Sequence, residues 1–330
     1  MKDNHSTGTD IEQFVDHSER IVDEIEKAIV GKRETIQKML AAFLCSGGHI
    51  LIEDFPGLAK TLIANCFADV LGFKFKRIQF TPDLLPGDIT GGYIFDNNQS
   101  KFVLRKGPLF TNVLLADEIN RASPKTQSAL LEAMQEHQAS LEGDSFELPY
   151  PFIVVATQNP IEYEGTFPLP EAQLDRFIVK LQIGHPTMED EQTILMRRLQ
   201  RRKDAVILTE VVTPQEFLAM RQTVEEVYVH PDVVRYIVNL TARTRQHRQV
   251  VVGASPRGSL ALLKISRAWA AIQGRTYVLP DDVKYFAQDT LSHRIIIEPS
   301  LWGSKNIEQA VIDEVLQSTT VPVIVFEHEK

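Results

Sequence analysis

Val113-Leu114-Leu115-Ala116-Asp117-Glu118 is a run of four small or apolar residues closed by two carboxylates. The apolar part reads as a strand buried in a parallel sheet. Open α/β sheets bind ligands beyond the C-terminal ends of their strands, and the carboxylates fall there. In that position Asp117 is placed to hold Mg²⁺ through water, and Glu118 to polarise a water that attacks a γ-phosphate. A solvated acidic pair at the start of a loop is the plain alternative. What sets this pair apart lies some fifty residues upstream.

There the chain reads Glu53-Asp54-Phe55-Pro56-Gly57-Leu58-Ala59-Lys60-Thr61. It follows a short apolar strand, 49–52, and opens a helix expected over 61–71. A strand–loop–helix unit ending in Lys-Thr is how a P-loop cradles phosphate. Backbone N–H groups and the helix N-terminus face the anion, Lys60 reaches the outer phosphates and the Thr61 hydroxyl ligates Mg²⁺. The residues assigned to nucleotide are Pro56, Gly57, Leu58, Ala59, Lys60, Thr61 and Leu62; Thr61 and Asp117 are assigned to the metal. The usual pattern G-x-x-x-x-G-K-[ST] is broken twice, by Asp54 and by Ala59. Alone, the loop could be an ordinary Pro-Gly turn before a helix. Paired with Asp117-Glu118, it reads as an ATP site.

The 330 residues suffice for two domains, with 43% hydrophobic and 24% charged residues. No apolar run approaches the ~20 residues that span a bilayer. The polar stretch 1–10 lacks the apolar region of a signal peptide. Cys45 and Cys66 fall in expected helices as small core residues, which suits a reduced, cytoplasmic location. A net charge of −9 weighs against a broad nucleic-acid surface.

Strands and helices alternate: strand 49–53, helix 60–71, strand 75–80, strand 112–116, helix 124–137, strand 152–157 and strand 177–183. Two helices, 10–28 and 35–46, precede them. Such a pattern predicts a parallel sheet covered on both faces. Turns at Asp96-Asn97-Asn98-Gln99 and Glu142-Gly143-Asp144-Ser145 predict two inserted β-hairpins. Beyond about 184 the pattern is all helix, with helices at 214–227, 231–247, 256–273, 281–293 and 306–318. The expected domains are therefore 1–190, an αβα core, and 205–330, an all-helical lid.

Three further stretches carry candidate chemistry. Val154-Val155-Ala156-Thr157-Gln158-Asn159-Pro160 reads as a strand beside the Asp-Glu strand, so Asn159 could orient the attacking water; an Asn before Pro is also a common turn. In Leu174-Asp175-Arg176-Phe177, Arg176 is either half of a surface ion pair or a finger supplied to a neighbouring subunit. In Gly253-Ala254-Ser255-Pro256-Arg257, Arg257 stands at a helix start, where a cation is disfavoured unless an anion is bound. The arginines at 197–203 and 243–248 read as helix C-terminal charges.

In this order the motifs resemble those of an AAA+ ATPase. Within that class, Asp117-Glu118-Ile119-Asn120-Arg121, the run from Ala156 to Thr166 and Leu169-Pro170-Glu171-Ala172-Gln173-Leu174-Asp175-Arg176-Phe177 look like the MoxR family. The resemblance implies a P-loop NTPase core with hairpin inserts and a helical lid, with nucleotide at the subunit borders of a ring, usually a hexamer. It implies that Val30 and Gly31 line the adenine pocket, that Asn159 is sensor 1, Arg257 sensor 2 and Arg176 the arginine finger. It implies ATP and Mg²⁺ as ligands, and chaperone-like remodelling of protein clients with a partner carrying a von Willebrand factor A domain. A ring-shaped DNA translocase, hinted at by Lys101, Arg105 and Lys106, a metal-chelatase-type motor subunit and a catalytically silent scaffold are the competing readings.

Overall fold

A computed structural model describes residues 9–98, 100–160, 166–301 and 306–323. Outside these lie 161–165 of the Ala156–Thr166 run, Gln99 of the first expected turn and most of the polar stretch 1–10. The first half of the chain runs α1 (Ile11–Glu26), α2 (Arg33–Leu44), β1 (Ile50–Glu53), α3 (Lys60–Val70), β2 (Phe75–Gln79), α4 (Pro86–Thr90), β3 (Gly91–Asp96), β4 (Lys101–Lys106), β5 (Val113–Asp117), α5 (Pro124–Glu136), β6 (Gln138–Leu141), β7 (Asp144–Glu147), β8 (Ile153–Gln158), α6 (Glu171–Leu174) and β9 (Val179–Leu181). Then come α7 (Met188–Arg201), α8 (Pro214–Glu226), α9 (Pro231–Thr244), β10 (Val250–Val252), α10 (Pro256–Ile272), α11 (Pro280–Leu291), β11 (Ile296–Ile297) and α12 (Ile307–Ser318).

Five strands pair in parallel in the order β2-β5-β8-β1-β9. Ile50 lies opposite Val155, and Val113 opposite Ile153, so the ends of β1, β5 and β8 come together. Alternate side chains leave a strand on opposite faces, and the burial follows that rule. Val113, Leu115, Ile153, Val155 and Ile52 join the cluster under α1, α2 and α3. Leu114, Ala116, Val154, Ala156 and Leu51 join the one under α4 and α5. Both faces are apolar, which is why these strands read as unbroken hydrophobic runs.

Both hairpins form, β3 with β4 and β6 with β7. Tyr93 Oη donates to Asp144 Oδ2 (3.2 Å), linking one to the other. The last core strand is shorter than expected, three residues within 177–183. The reason is local: the chain from Asp175 to Ile178 turns its carbonyls toward a lid arginine instead of a neighbouring strand. α7 fills most of the stretch between the two expected domains, and a capping box starts it, Thr187 Oγ1 accepting from the Asp190 N–H. A second box, Thr213 with Glu216, starts α8.

The lid is not entirely helical. β10 and β11 form a small antiparallel pair between α9 and α10 on one side and α11 and α12 on the other. Val250, Val251 and Val252 are β-branched, which suits a ladder better than another turn of helix. The larger hydrophobic cluster passes from α1 and α2 into α8, α10 and α11 without a break. Arg221 of α8 spans the junction, its guanidinium donating twice to the carbonyl of Phe43 (2.6 and 3.0 Å). Among the described residues, no helix is long and apolar enough to cross a membrane.

Candidate nucleotide-binding site

The loop between β1 and α3 is held from below by the residue that breaks the glycine pattern. Asp54 is buried. Its Oδ2 accepts from the N–H groups of Ile183 (2.8 Å) and Gly184 (2.7 Å), and its Oδ1 from that of Phe55 (2.9 Å). Hydrogen bonds to a charged acceptor contribute about 1.5–3 kcal/mol each. A glycine here would leave the loop untied from the chain beyond β9. The second departure keeps the geometry of the residue it replaces. Ala59 has φ 56° and ψ 20°, the left-handed region, at a cost of about 1–2 kcal/mol for a residue with a Cβ. Gly57 has φ 85°.

Lys60 opens α3 and folds back over the loop, its ammonium donating to the carbonyls of Asp54 and of Phe55 (3.0 Å to the latter). Burial pulls its pKa below the ordinary lysine value, while Asp54, Asp117 and Glu118 pull the other way.

At the end of β5, Asp117 is buried and both of its oxygens accept hydrogen bonds. Oδ1 accepts from Thr157 Oγ1 (2.6 Å), and Oδ2 from Arg77 Nε (3.1 Å) and Nη2 (2.7 Å). Glu118 turns into the left-handed region at φ 55° and ψ 51°. Its N–H donates to the same Thr157 hydroxyl (2.8 Å), and its Oε2 accepts from Gln79 Nε2 (2.6 Å) and Arg121 Nη1 (3.0 Å). Backbone strain of this kind costs about 1–3 kcal/mol and gathers at functional positions. Here it parts the two carboxylates: Asp117 turns to Arg77 and Thr157, and Glu118 to Gln79 and Arg121. Asn159 is buried just past β8.

Pro56 to Leu62, Arg77, Gln79, Asp117, Glu118 and Asn159 line one cavity of about 430 Å³. Its donors suit a polyphosphate, with main-chain N–H groups at a helix start and an ammonium beside them. The oxygens of Thr61 and Asp117 suit a hard cation.

The other two assigned cations lie elsewhere. Arg176 and Arg257 line a separate cavity of about 300 Å³ between core and lid, and the two linings share no residue. Arg257 is therefore not among the residues that line the phosphate cavity of its own chain. Nor is Asp175 the surface partner of Arg176. It turns inward to Arg294 Nε (2.8 Å) and Ser255 Oγ (2.8 Å). Arg176 instead donates from Nη2 to Gln135 Oε1 (3.1 Å). Burial lowers its pKa, as does neighbouring Arg257. Ser255 caps α10, accepting from the Arg257 N–H (3.1 Å). Val30 and Gly31 line neither cavity. Gly31 (φ 69°) sits so close to Asp190 of α7 that a Cβ there would lie 2.2 Å from its Oδ2.

Arg77, Gln79 and Thr157 were not singled out in the sequence. A usable signal existed in β2, where Arg77 and Gln79 are spaced by two and so share a face. Gln79 pairs in register with Asp117, which puts that face beside the carboxylates. Nothing in the sequence joins Asp175 to Arg294, 119 residues away.

Comparison with known proteins agrees with this architecture. The family model "ATPase family associated with various cellular activities (AAA)" matches residues 49–179, and the AAA lid domain matches 242–315. The uncharacterized protein YeaC of Bacillus subtilis is 45% identical over 305 residues, covering 92% of this chain and 94% of that protein. Chaperone MoxR1 of Mycobacterium tuberculosis is 41% identical over 315 residues, covering 93% and 82%. A crystal structure of a candidate ATPase from Cytophaga hutchinsonii superimposes with a TM-score of 0.88 at 37% identity, covering 95% of this chain and 97% of that one.

Proposed function

Because the chain belongs to the MoxR family of AAA+ ATPases, we propose that its ATPase cycle, run with Mg²⁺, drives chaperone-like remodelling or maturation of protein clients. The observation that carries this reading is the single cavity that gathers Lys60, Thr61, Asp117, Glu118 and Asn159 at the ends of three adjacent strands.

Each residue has a task that follows from its surroundings. The N–H groups from Gly57 to Thr61 and the Lys60 ammonium bind the phosphates. To do so, Lys60 exchanges the carbonyls of Asp54 and Phe55 for phosphate oxygens. Thr61 and Asp117 would hold Mg²⁺, which supplies neutralisation of charge on the phosphate oxygens when bound. Thr157 fixes both neighbours of the β5 end with one hydroxyl, donating to Asp117 and accepting from Glu118 N–H. Glu118 polarises the attacking water and Asn159 orients it. Gln79 and Arg121 hold the Glu118 carboxylate in place.

Arg176 and Arg257 lie on a different cavity from the loop they would serve. That separation supports a ring, hexameric in this reading, in which each chain lends both cations to its neighbour's γ-phosphate. A partner with a von Willebrand factor A domain, a cytoplasmic setting, the core and lid domains 1–190 and 205–330 and the adenine contacts of Val30 and Gly31 belong to the same proposal. The net charge of −9 favours a protein client over a nucleic acid.

Glu118→Gln tests the site and its use together. The variant is expected to bind ATP with wild-type affinity while kcat falls about a hundredfold or more, since only water activation is lost. Trapped in the ATP-bound state, it should retain clients in a pull-down that the wild-type protein releases. Wild-type turnover by Glu118→Gln would remove the base from this assignment.

A further inference from the structure

We propose that Asp175 is a positioning residue whose carboxylate locks Arg176 and Arg257 into one unit. The proposal rests on the reading above that these cations act on a neighbouring subunit's nucleotide.

The lock is built from three segments far apart in the chain. Asp175 precedes Arg176 in the core. One of its oxygens accepts from Arg294 Nε (2.8 Å), the other from Ser255 Oγ (2.8 Å). Ser255 Oγ in turn accepts from the N–H of Arg257 (3.1 Å). A continuous hydrogen-bonded path therefore runs from the residue beside Arg176 to Arg257 itself.

Arg294 closes the third side. Its Nη2 donates to the carbonyls of Phe177 (2.6 Å) and Asp175 (3.2 Å), and its Nη1 to those of Ile178 (3.2 Å) and Thr290. The segment from Asp175 to Ile178 is thus fastened to the lid through both side chain and backbone. Arg294 itself is buried, and burial brings its pKa down to about 10, which leaves it a cation at neutral pH. A buried cation with a single carboxylate partner is a costly arrangement for stability alone. It is a good one for geometry, because it admits few alternatives.

The functional consequence concerns the cavity of Arg176 and Arg257. An arginine that stabilises transition-state charge must be held within fractions of an ångström. Arg176 Nη2 has one anchor of its own, Gln135, while Nε is buried without a partner. The backbone beneath it has to supply the remaining precision, and Asp175 fixes that backbone. The lock also ties Arg176 to the lid, so any rotation of the lid carries both cations together.

Asp175→Asn keeps the shape and removes the charge. In the full-length protein it is expected to lower kcat for ATP at least tenfold with KM within about twofold, because the affected cations serve another chain's site. Ser255→Ala, which removes only one of the two bonds, is expected to lower kcat about threefold. The discriminating step is mixing. Asp175→Asn subunits keep an intact phosphate loop, and Lys60→Ala subunits keep an intact Asp175 lock. Mixing them is expected to restore part of kcat, as mixing Arg176→Ala with Lys60→Ala is also expected to do. Recovery in the Arg176 mixture without recovery in the Asp175 mixture would overturn the lock and leave the shared site standing. Recovery in neither would overturn the shared site and the lock with it. Should Asp175→Asn fail to give a wild-type melting curve, Ser255→Ala carries the same mixing test. Wild-type kcat in Ser255→Ala would then refute the proposal.

Discussion

The phosphate cavity and the arginine cavity are built on opposite plans. The first takes seven of its lining residues from one unbroken run, Pro56 to Leu62, and adds the ends of three paired strands. The second is assembled across the junction of core and lid, from α5, the segment after α6, the start of α10 and Arg294. Short-range geometry shapes the loop of the first, through two left-handed residues and a helix start, and the buried Asp54 then ties that loop to Ile183 and Gly184. Long-range contacts decide the second, so it can change whenever the lid moves.

Lys60→Ala and Arg176→Ala are expected to break this comparison most visibly. Loss of the Lys60 ammonium should weaken ATP binding at least a hundredfold, since in the proposed site its charge would face the phosphates. Arg176→Ala should leave binding within about twofold and lower kcat at least a hundredfold, because a finger acts on the transition state. Fluorescent-nucleotide titration and steady-state rates separate the two. Equal losses of affinity would mean that both cations serve the same cavity within one chain.

Acid should act on the junction. His49 lines the arginine cavity and is buried. Its Nδ1 accepts from Val154 N–H (3.1 Å) while Nε2 faces the Met134 carbonyl (3.2 Å). Burial pulls its pKa from 6.5 down to about 3. The folded state therefore holds the neutral ring while the unfolded chain takes up a proton below pH 6.5. Its contribution is fully present above 6.5 and is lost as the pH falls toward 3, at up to about 1.4 kcal/mol per pH unit. Urea midpoints at pH 7 and pH 5 should differ less in His49→Gln than in the parent. An unchanged difference would clear His49 of the acid sensitivity.

The smallest effect is expected outside both cavities. The β3–β4 hairpin exposes Ile94, Phe95 and Phe102, with Phe95 and Phe102 edge to face across the strands at 5.4 Å. Its apolar arms face solvent, so they add little to the core. Replacing residues 96–100 by a two-residue Asn-Gly turn should shift the melting temperature by no more than about 2 °C. Basal ATPase should be kept, and stimulation by a partner lost. A large drop in melting temperature would make the hairpin structural.

What was legible in the sequence follows the same division. The parallel core, both hairpins and the grouping of Lys60, Thr61, Asp117, Glu118 and Asn159 all rest on local patterns: apolar runs, turn residues and strand ends. The Asp54 and Ala59 departures looked like weaknesses of the loop. In the structure one ties the loop down and the other keeps the glycine's dihedral angles. The β10–β11 pair was missed because three valines are too short a run to stand against a helical neighbourhood. Asp175 was read with its sequence neighbour Arg176, since pairing across 119 residues leaves no local trace. The placement of Arg257 was missed for a related reason. Its position at a helix start was legible, but which cavity that helix start faces depends on how the lid packs.

One measurement tests the divided site most directly. Arg176→Ala and Lys60→Ala proteins, each expected to be inactive alone, are mixed in equal amounts and the ATPase rate is followed. Random placement in a ring gives an intact loop facing an intact arginine at about one interface in four, so recovery to about a quarter of the wild-type rate is expected. A mixture no more active than its two components would contradict the account, because each chain would then have to complete its own site.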